Sequence, residues 1–419
     1  MAAERDFDVV VFGATGVTGR RVAAYLAEQD GRWAAAARDA GKLERILAED
    51  GVVAPERIVA DVGDPDSLAQ MASRTRVVLN LVGPYTLYGR PVIEACVAGG
   101  AHYVDLTGEI PFVRQIIDSH DARAREAQVK VVQVCGFEAL PPDLSVLLAA
   151  ETARERWGEG LTEADLQVSA QGPPGMPRPS DMISGGTFQS LAAAAGGEDA
   201  SAVTDPAALI TDPAVAAAVR RRSPITVAPR RSGDAVIAPM APAAFINPAV
   251  IQRTAALVAA EGGGVLTEPF RYREGFAMKG AAATLPLRYA AAGVLSGTQA
   301  AVGAAARARP AVRRRVGQAL SRVLPSSGFG PAADRLEAWK WHMSLAARTT
   351  GGHEVRVEVD ADGHPGYLAT ARMLGEAGLL LAEPGATPER SGCLTPATAL
   401  GTGCVDRFER ARLRFSVRP

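Results

Sequence analysis

Cysteine is scarce in this chain: four in 419 residues, Cys96, Cys135, Cys393 and Cys404, with no two at CxxC spacing. Neither a disulfide framework nor a zinc module can be built from them, and a reduced cytoplasm fits best. The five histidines, His102, His120, His342, His353 and His364, share no ligand spacing with each other or with cysteine, so metal catalysis finds no support. No GxSxG elbow marks a serine hydrolase. A net charge of −1 rules out a protein whose whole surface attracts nucleic acid. The N-terminal MAAERDFDVVVFG runs straight into a strand without a signal-peptide pattern, consistent with a cytoplasmic protein. Only four of the 45 basic residues are lysines, a bias that reads as base composition of the source genome and carries no functional weight.

What is present is ordinary for a soluble globular chain, 47% hydrophobic and 22% charged residues, and the length predicts two domains or three at most. Over the N-terminal third, short apolar runs alternate with helix-like segments, the pattern of parallel strands joined by right-handed crossovers. Strands are expected near Val9–Phe12, Trp33–Ala37, Arg57–Ala60, Val77–Leu81, His102–Asp105 and Val129–Val134. Between the first strand and the first helix stands Gly13-Ala14-Thr15-Gly16-Val17-Thr18-Gly19, a GxxGxxG. Glycines there permit a tight turn and close approach of a pyrophosphate, whose charge is met by free N–H groups and the positive end of the helix dipole.

At the end of the second strand, about 20 residues past the glycine loop, an acid would take the ribose 2′-hydroxyl of NAD. This chain has Arg38, which favours NADP(H) through its 2′-phosphate, provided that Asp39 does not turn inward. A solvated arginine starting a helix is the plainer reading. Asp61, closing the third strand, is read either as an acceptor for the adenine amino group or as a helix cap. The loop after the fourth strand, NLVGPYTLYG, places Asn80, Gly83, Pro84 and Tyr85 beside the cofactor's ribose and nicotinamide, because ligands of open α/β sheets bind at the carboxyl ends of strands.

The motifs GATGVTG, NLVGPYTLYG, ACVAGGAHYVDLTGE, VCGFEALPPDLSV, SGGTFQS, GHPGYLATARML and GCLTPATALG follow one another in the order seen in the saccharopine dehydrogenase-like oxidoreductases, and the chain most resembles the trans-acting enoyl reductase branch. The resemblance runs from about residue 7 to 402. It departs from the family pattern at Glu138 and Ala139, where aspartate and serine are more usual. The resemblance implies an α/β chain: an NADP-binding Rossmann domain with a doubly wound parallel sheet (residues 1–140), then a second α+β domain on a mainly antiparallel sheet (141–394). A C-terminal segment (395–419) would return towards the first domain. It further implies an NADP-dependent enzyme that reduces a carbon–carbon double bond of a polyketide or lipid thioester. The alternatives are an imine or ketone reductase of saccharopine dehydrogenase type and a non-catalytic NADP-binding scaffold.

Enoyl reduction needs a donor for the developing enolate, and Tyr85 is the first candidate, with Tyr103, Glu109 and Tyr367 behind it. Packing tyrosines with satisfied hydroxyls and a capping or paired Glu109 are the plainer readings. In the second half, the segment Gly185–Ala195 reads as a glycine turn opening a helix at Thr187, either an anion site or an ordinary cap. Residues 197–245 read as a mobile excursion with short helices, and strands return at Pro269–Ala277 and His353–Val359. No acid occurs between Glu274 and Asp334, whereas basic residues cluster at Arg307–Arg322 after the alanine-rich YAAAGVLSGTQAAVGAAA. That helix either packs in the core with a solvated basic tip or presents its arginines to an acidic acyl carrier protein or a membrane surface. The substrate would then be a small molecule or a carrier-tethered acyl chain, and the protein cytoplasmic or peripheral to a membrane.

Overall fold

The apolar runs of the N-terminal third are too short and too uniformly hydrophobic for surface helices, and they form strands that, apart from the edge strand Arg57–Val59, are buried on both faces, as parallel sheets require. The computed structural model describes residues 5–54, 56–174, 200–240, 243–262, 266, 269–279, 284–309, 311 and 335–419. The order is β1 (Phe7–Phe12), α1 (Val17–Ala27), β2 (Trp33–Ala37), α2 (Ala40–Glu49), β3 (Arg57–Val59), α3 (Pro65–Ser73), β4 (Thr75–Asn80), α4 (Tyr85–Gly99), β5 (His102–Asp105), α5 (Ile110–Glu126) and β6 (Lys130–Val132). Helix α6 (Leu140–Trp157) leads into the second sheet through β7 (Leu161–Gln171). There follow α7 (Pro213–Arg222), β8 (Arg230–Ser232), β9 (Ala235–Ala238), α8 (Asn247–Ala260), β10 (Arg271–Met278), α9 (Leu285–Ala306), β11 (Lys340–Thr349) and β12 (Glu354–Asp362). A π-helical turn (Pro365–Ala369) opens α10 (Thr370–Ala382), and β13 (Gly392–Leu394), α11 (Pro396–Leu400) and β14 (Leu413–Arg418) close the chain.

The first sheet has seven parallel strands in the order β13-β6-β5-β4-β1-β2-β3, a doubly wound arrangement whose direction of winding reverses between β1 and β4. The second, β14-β12-β11-β7-β10-β9-β8, is antiparallel except for β7 beside β10. Its strands alternate cleanly: in β11, Trp341, Met343, Leu345 and Ala347 are buried and pack with α6, while His342 and Ser344 lie on the other face. One apolar cluster runs from Val9 and Val11 of the first sheet to Leu166 and Val357 of the second, so the sheets share a core.

The sheets interleave in sequence, and a division at residues 140 and 394 does not follow them. Gly392–Leu394 pairs with β6 as an edge strand of the first sheet, whereas Leu413–Arg418 returns to the second beside β12. Helix α10 reaches back to the first sheet because it carries small residues where it must approach closely. A Cβ on Gly375 would stand 2.4 Å from the Tyr25 ring of α1, and one on Gly378 would be 3.0 Å from Leu79 of β4. Between them Glu376, wholly buried, accepts the Tyr25 hydroxyl at 2.7 Å and pairs with Arg407 at 3.0 Å.

The excursion expected over 197–245 is, in its described part, built structure. Ser232 and Ala235 pair across a turn in which Gly233 adopts φ +57°, and Ala235–Ala238 is buried next to β10. The alanine-rich run becomes α9 and lies on the surface instead of in the core: only Ala292, Gln299, Gly303 and Ala306 are buried, and Leu287, Tyr289 and Val294 are exposed. Among the described residues one helical stretch, Ala243–Ala260, is long and apolar enough to cross a membrane, and 78% of it is buried against protein. The stretch Gly185–Ala195 and Arg313, Arg314, Arg315 and Arg322 lie outside the described residues.

Adding a methyl group at the tightest crossing should separate α10 from α1. Gly375→Ala is expected to cost about 1–3 kcal/mol, read as a lower midpoint of chemical denaturation.

Candidate functional site

The reversal between β1 and β4 opens a crevice at the carboxyl ends of the strands, and the glycine loop lines one side of it. Gly13 turns the chain at φ +91°, with Leu81 backbone 3.0 Å from where a Cβ would lie. At Gly19 a Cβ would stand 2.3 Å from the Gly13 carbonyl oxygen. The first turn of α1 is thus drawn under β1. Ala14 is buried beneath the loop, and Thr15, Val17 and Thr18 are half-buried along it. Gly16 occupies the N-cap, no side chain caps the helix, and its first turn holds no acid. Backbone N–H groups at such a terminus are available to an anion.

Arg38 ends β2 exposed to solvent beside this mouth. Asp39 does not compete with it, because its carboxylate accepts the Lys42 N–H at 2.8 Å as the N-cap of α2. Asp61 is half-buried and accepts the Gly63 N–H at 2.8 Å; the cap of α3 is Asp64. Tyr367 reaches the same end of α1 from the π-helical turn, with the Arg21 guanidinium 5.9 Å from its ring centre. Burial lowers the pKa of that guanidinium.

Beyond Gly83 and Pro84, where α4 begins, three of the four residues expected to donate a proton are committed to the scaffold. The Tyr85 hydroxyl is buried and donates to the Asn80 carbonyl at 3.1 Å. The Asn80 side chain accepts the Val82 N–H at 3.1 Å and donates to the Tyr103 hydroxyl at 3.0 Å, which in turn donates to Asp105 at 2.8 Å. Glu109 receives the N–H groups of Tyr85 at 3.0 Å and Thr86 at 2.8 Å, as well as the Thr86 hydroxyl, so it caps α4. Tyr85, Tyr103 and Glu109 therefore meet in one place, and Tyr367 stands apart at α1. Sequence position located the loop; it did not reveal that the phenols point inward.

Asp105 is the hub of this wall. Its carboxylate also accepts N–H groups of Thr107 at 3.0 Å and Val134 at 3.2 Å, and complete burial raises its pKa to about 7. Val134 has φ +62°, a conformation that β-branched residues avoid, and the bond from Asp105 holds it there. The strained turn aims the segment Gly136–Glu138 at the second sheet. Phe137 packs edge-on against Trp341, ring centres 5.0 Å apart, and its N–H reaches the Thr370 hydroxyl at 3.2 Å. Glu138 is half-buried in the turn that leads into α6, and desolvation raises its pKa.

The second sheet contributes a polar group that the sequence reading missed. Glu274 of β10 accepts the Asn247 side-chain amide at 2.7 Å and the Tyr272 hydroxyl at 2.8 Å, both on Oε2, and burial pushes its pKa up to about 8. The preceding residue of α8's entry, Ile246, packs on Gly108, where a Cβ would lie 2.8 Å from its side chain. That contact sets the cluster against the loop that carries Glu109. The available signal was phase: in RYREGFAM, Glu274 shares the apolar face of Tyr272 and Phe276.

The family model described as Saccharopine dehydrogenase NADP binding domain matches residues 9–132. A chain from Mycobacterium tuberculosis (strain ATCC 25618 / H37Rv), provisionally named a trans-acting enoyl reductase, is 34% identical over 98% of this chain and 97% of its own. A trans-acting enoyl reductase from Mycobacterium ulcerans (strain Agy99) is 30% identical, covering 97% and 96%, and one from Mycobacterium bovis (strain BCG / Pasteur 1173P2) is 31% identical, covering 98% and 97%. The solved apo structure of histidine-tagged saccharopine dehydrogenase (L-Glu forming) from Saccharomyces cerevisiae shares the fold across 98% of this chain and 99% of that one, with a TM-score of 0.50 at 12% identity.

Two substitutions separate the wall from the mouth. Tyr85→Phe removes a buried hydrogen bond worth about 1 kcal/mol, so it should lower thermal stability and leave NADPH binding unchanged by calorimetry. Arg38→Gln removes the cation expected at a 2′-phosphate, a charge-assisted contact worth ~1.5–3 kcal/mol. It should weaken NADPH binding by about tenfold or more and leave NADH binding as it was.

Proposed function

Because the chain belongs to the saccharopine dehydrogenase-like oxidoreductases, in the branch of the trans-acting enoyl reductases, we propose that it reduces the carbon–carbon double bond of an enoyl thioester with NADPH. The observation that carries this reading is the uncapped, acid-free first turn of α1 at the reversal point of the sheet, in a chain that matches those reductases almost from end to end. The residues fit the dinucleotide, since the space between Gly13 and Gly19 admits no Cβ and the amides beside it carry no side-chain cap. NADPH, when bound, supplies the hydride that the β-carbon of the substrate receives.

The protein's share is positioning and exclusion of water. Amides at the mouth of α1 hold the diphosphate, and Arg38 takes the 2′-phosphate. Asn80, fixed on both its polar atoms, keeps the β4 loop in one shape for the ribose and nicotinamide. Phe137, packed edge-on against Trp341 of the second sheet, gives the loop after β6 an apolar surface suited to an acyl chain. Such a site suits an alkene conjugated to a thioester.

The substrate in this reading arrives tethered to an acidic carrier protein. Arg307 and Arg309 are exposed at the end of α9, within the acid-free stretch from Glu274 to Asp334, and a cationic patch steers an anionic partner. With an enoyl group on a carrier protein, kcat/KM for NADPH oxidation should fall steeply as salt rises, and Arg307→Gln with Arg309→Gln should reproduce the loss at low salt. A small enoyl thioester should show neither effect. Oxidation of NADPH with imines or ketones but with no enoyl thioester would contradict the function, and equal salt response of both substrates would remove the carrier.

A further inference from the structure

With Tyr85, Tyr103 and Glu109 all engaged in the scaffold, the proton required by enoyl reduction needs another source. We propose that Glu274 is that acid, giving its proton to the α-carbon of the substrate, with Asn247 and Tyr272 fixing which oxygen carries it. The inference rests on the enoyl reductase reading.

The hydrogen-bond pattern around Glu274 leads to this assignment. Asn247 Nδ2 and the Tyr272 hydroxyl both donate to Oε2, at 2.7 and 2.8 Å. An oxygen that accepts two donors is a poor place for a proton, so the neutral acid carries its hydrogen on Oε1. Oε1 is closed off from solvent and makes no hydrogen bond in the structure, and neither does Asn247 Oδ1. Two buried polar atoms left without partners in one hydrogen-bonded pair of residues carry a cost that native proteins seldom accept without function. The glutamate stands on the apolar phase of β10, between Tyr272 and Phe276, where a hydrophobic residue would pack better. Its neighbour in the chain of contacts, Ile246, touches Gly108, one residue from the Glu109 carboxylate that holds the start of α4 beyond Gly83 and Pro84.

The surrounding charges agree. Desolvation is the main cause of the raised pKa, with Asn247 and Tyr272 opposing it, and no cation pairs with the group among the described residues. Tyr272 feels Asp143 of α6 and Asp165 of β7. Asp143 is held by Thr254 and the Ala397 N–H, and Asp165 by Arg230 and Arg273, so neither is free to take the role. Leu166, opposite Glu274 on β7, is apolar. A pKa near 8 keeps the acid protonated at neutral pH.

The step balances. As the α-carbon's electron pair takes the proton, a C–H bond forms, the Oε1–H bond breaks and Glu274 is left as carboxylate; solvent restores its proton after product leaves. Oxidation is confined to NADPH, and the substrate gains two hydrogens.

The test is Glu274→Gln in the full chain, assayed with NADPH and an enoyl thioester across pH 6 to 10, beside Glu138→Gln. Wild-type kcat/KM should fall as pH rises through about 8; Glu274→Gln should lower kcat about 100-fold at pH 7 and abolish that alkaline limb, with NADPH affinity by calorimetry unchanged. Difference infrared spectroscopy gives a readout without turnover: a protonated carboxyl band lost on titration through the same pH in wild type and absent from Glu274→Gln. Turnover within threefold of wild type, or an alkaline limb kept by Glu274→Gln and lost by Glu138→Gln, overturns the assignment while the enoyl reductase reading stands. A wild-type protein that reduces no enoyl thioester refutes that reading and this role together.

Discussion

The whole arrangement turns on one close approach, that of the Gly19 α-carbon to the Gly13 carbonyl. With no side chain between them, α1 begins directly beneath β1, and its first amides face the crevice where the sheet reverses. A side chain at either position would push the helix away and bury those amides against the loop. The same economy recurs at the cap: Gly16 carries no oxygen to satisfy the helix, so the positive end of its dipole is left for an anion. The hold attributed to the diphosphate follows from backbone exposed in this way.

The second constraint is that the crevice has two walls from different parts of the chain, and these must be held in register. Buried polar groups do this. Glu376 ties α10 to Tyr25 of α1 and to Arg407 near the C-terminus. Asp143 links the start of α6 to Thr254 of α8 and the amide of Ala397. Asp105 joins β5 to the turn after β6 through Val134. Each is an acid whose desolvation is offset by several donors, an arrangement that demands one geometry and tolerates few others. The interleaving of the chain between sheets is the covalent counterpart: β13 closes one edge and β14 the other, so neither sheet can shift alone.

Local patterns of the sequence were legible to the extent that their physics is local. The glycine triplet needs only a strand before it and a helix after it, and the rhythm of β1 to β6 is carried by short apolar runs between longer helix-like segments. Arg38 could be placed at the end of β2 for the same reason. What sequence could not supply is direction and distance. Tyr85 sits on the expected loop, yet its hydroxyl turns back to Asn80, because a buried phenol seeks the nearest carbonyl. Leu394 pairs with Val132 across more than half the chain, and no spacing announces it. Glu274 was visible as an acid on an apolar phase, but only its lone oxygen beside Asn247 gives that irregularity a meaning. The hairpin of β8 and β9 was hidden by the adjacent Arg230 and Arg231 between Pro229 and Gly233, which read as loop.

The central claim is that backbone exposed by missing side chains binds the phosphates of NADPH. Calorimetric titration of NADPH into the wild-type protein and into Gly19→Ala, each shown folded by circular dichroism, addresses it directly. The account predicts saturable uptake by the wild type, tighter than that of NADH, and no measurable heat with the variant. Equal binding by both proteins, or none by the wild type, would contradict it.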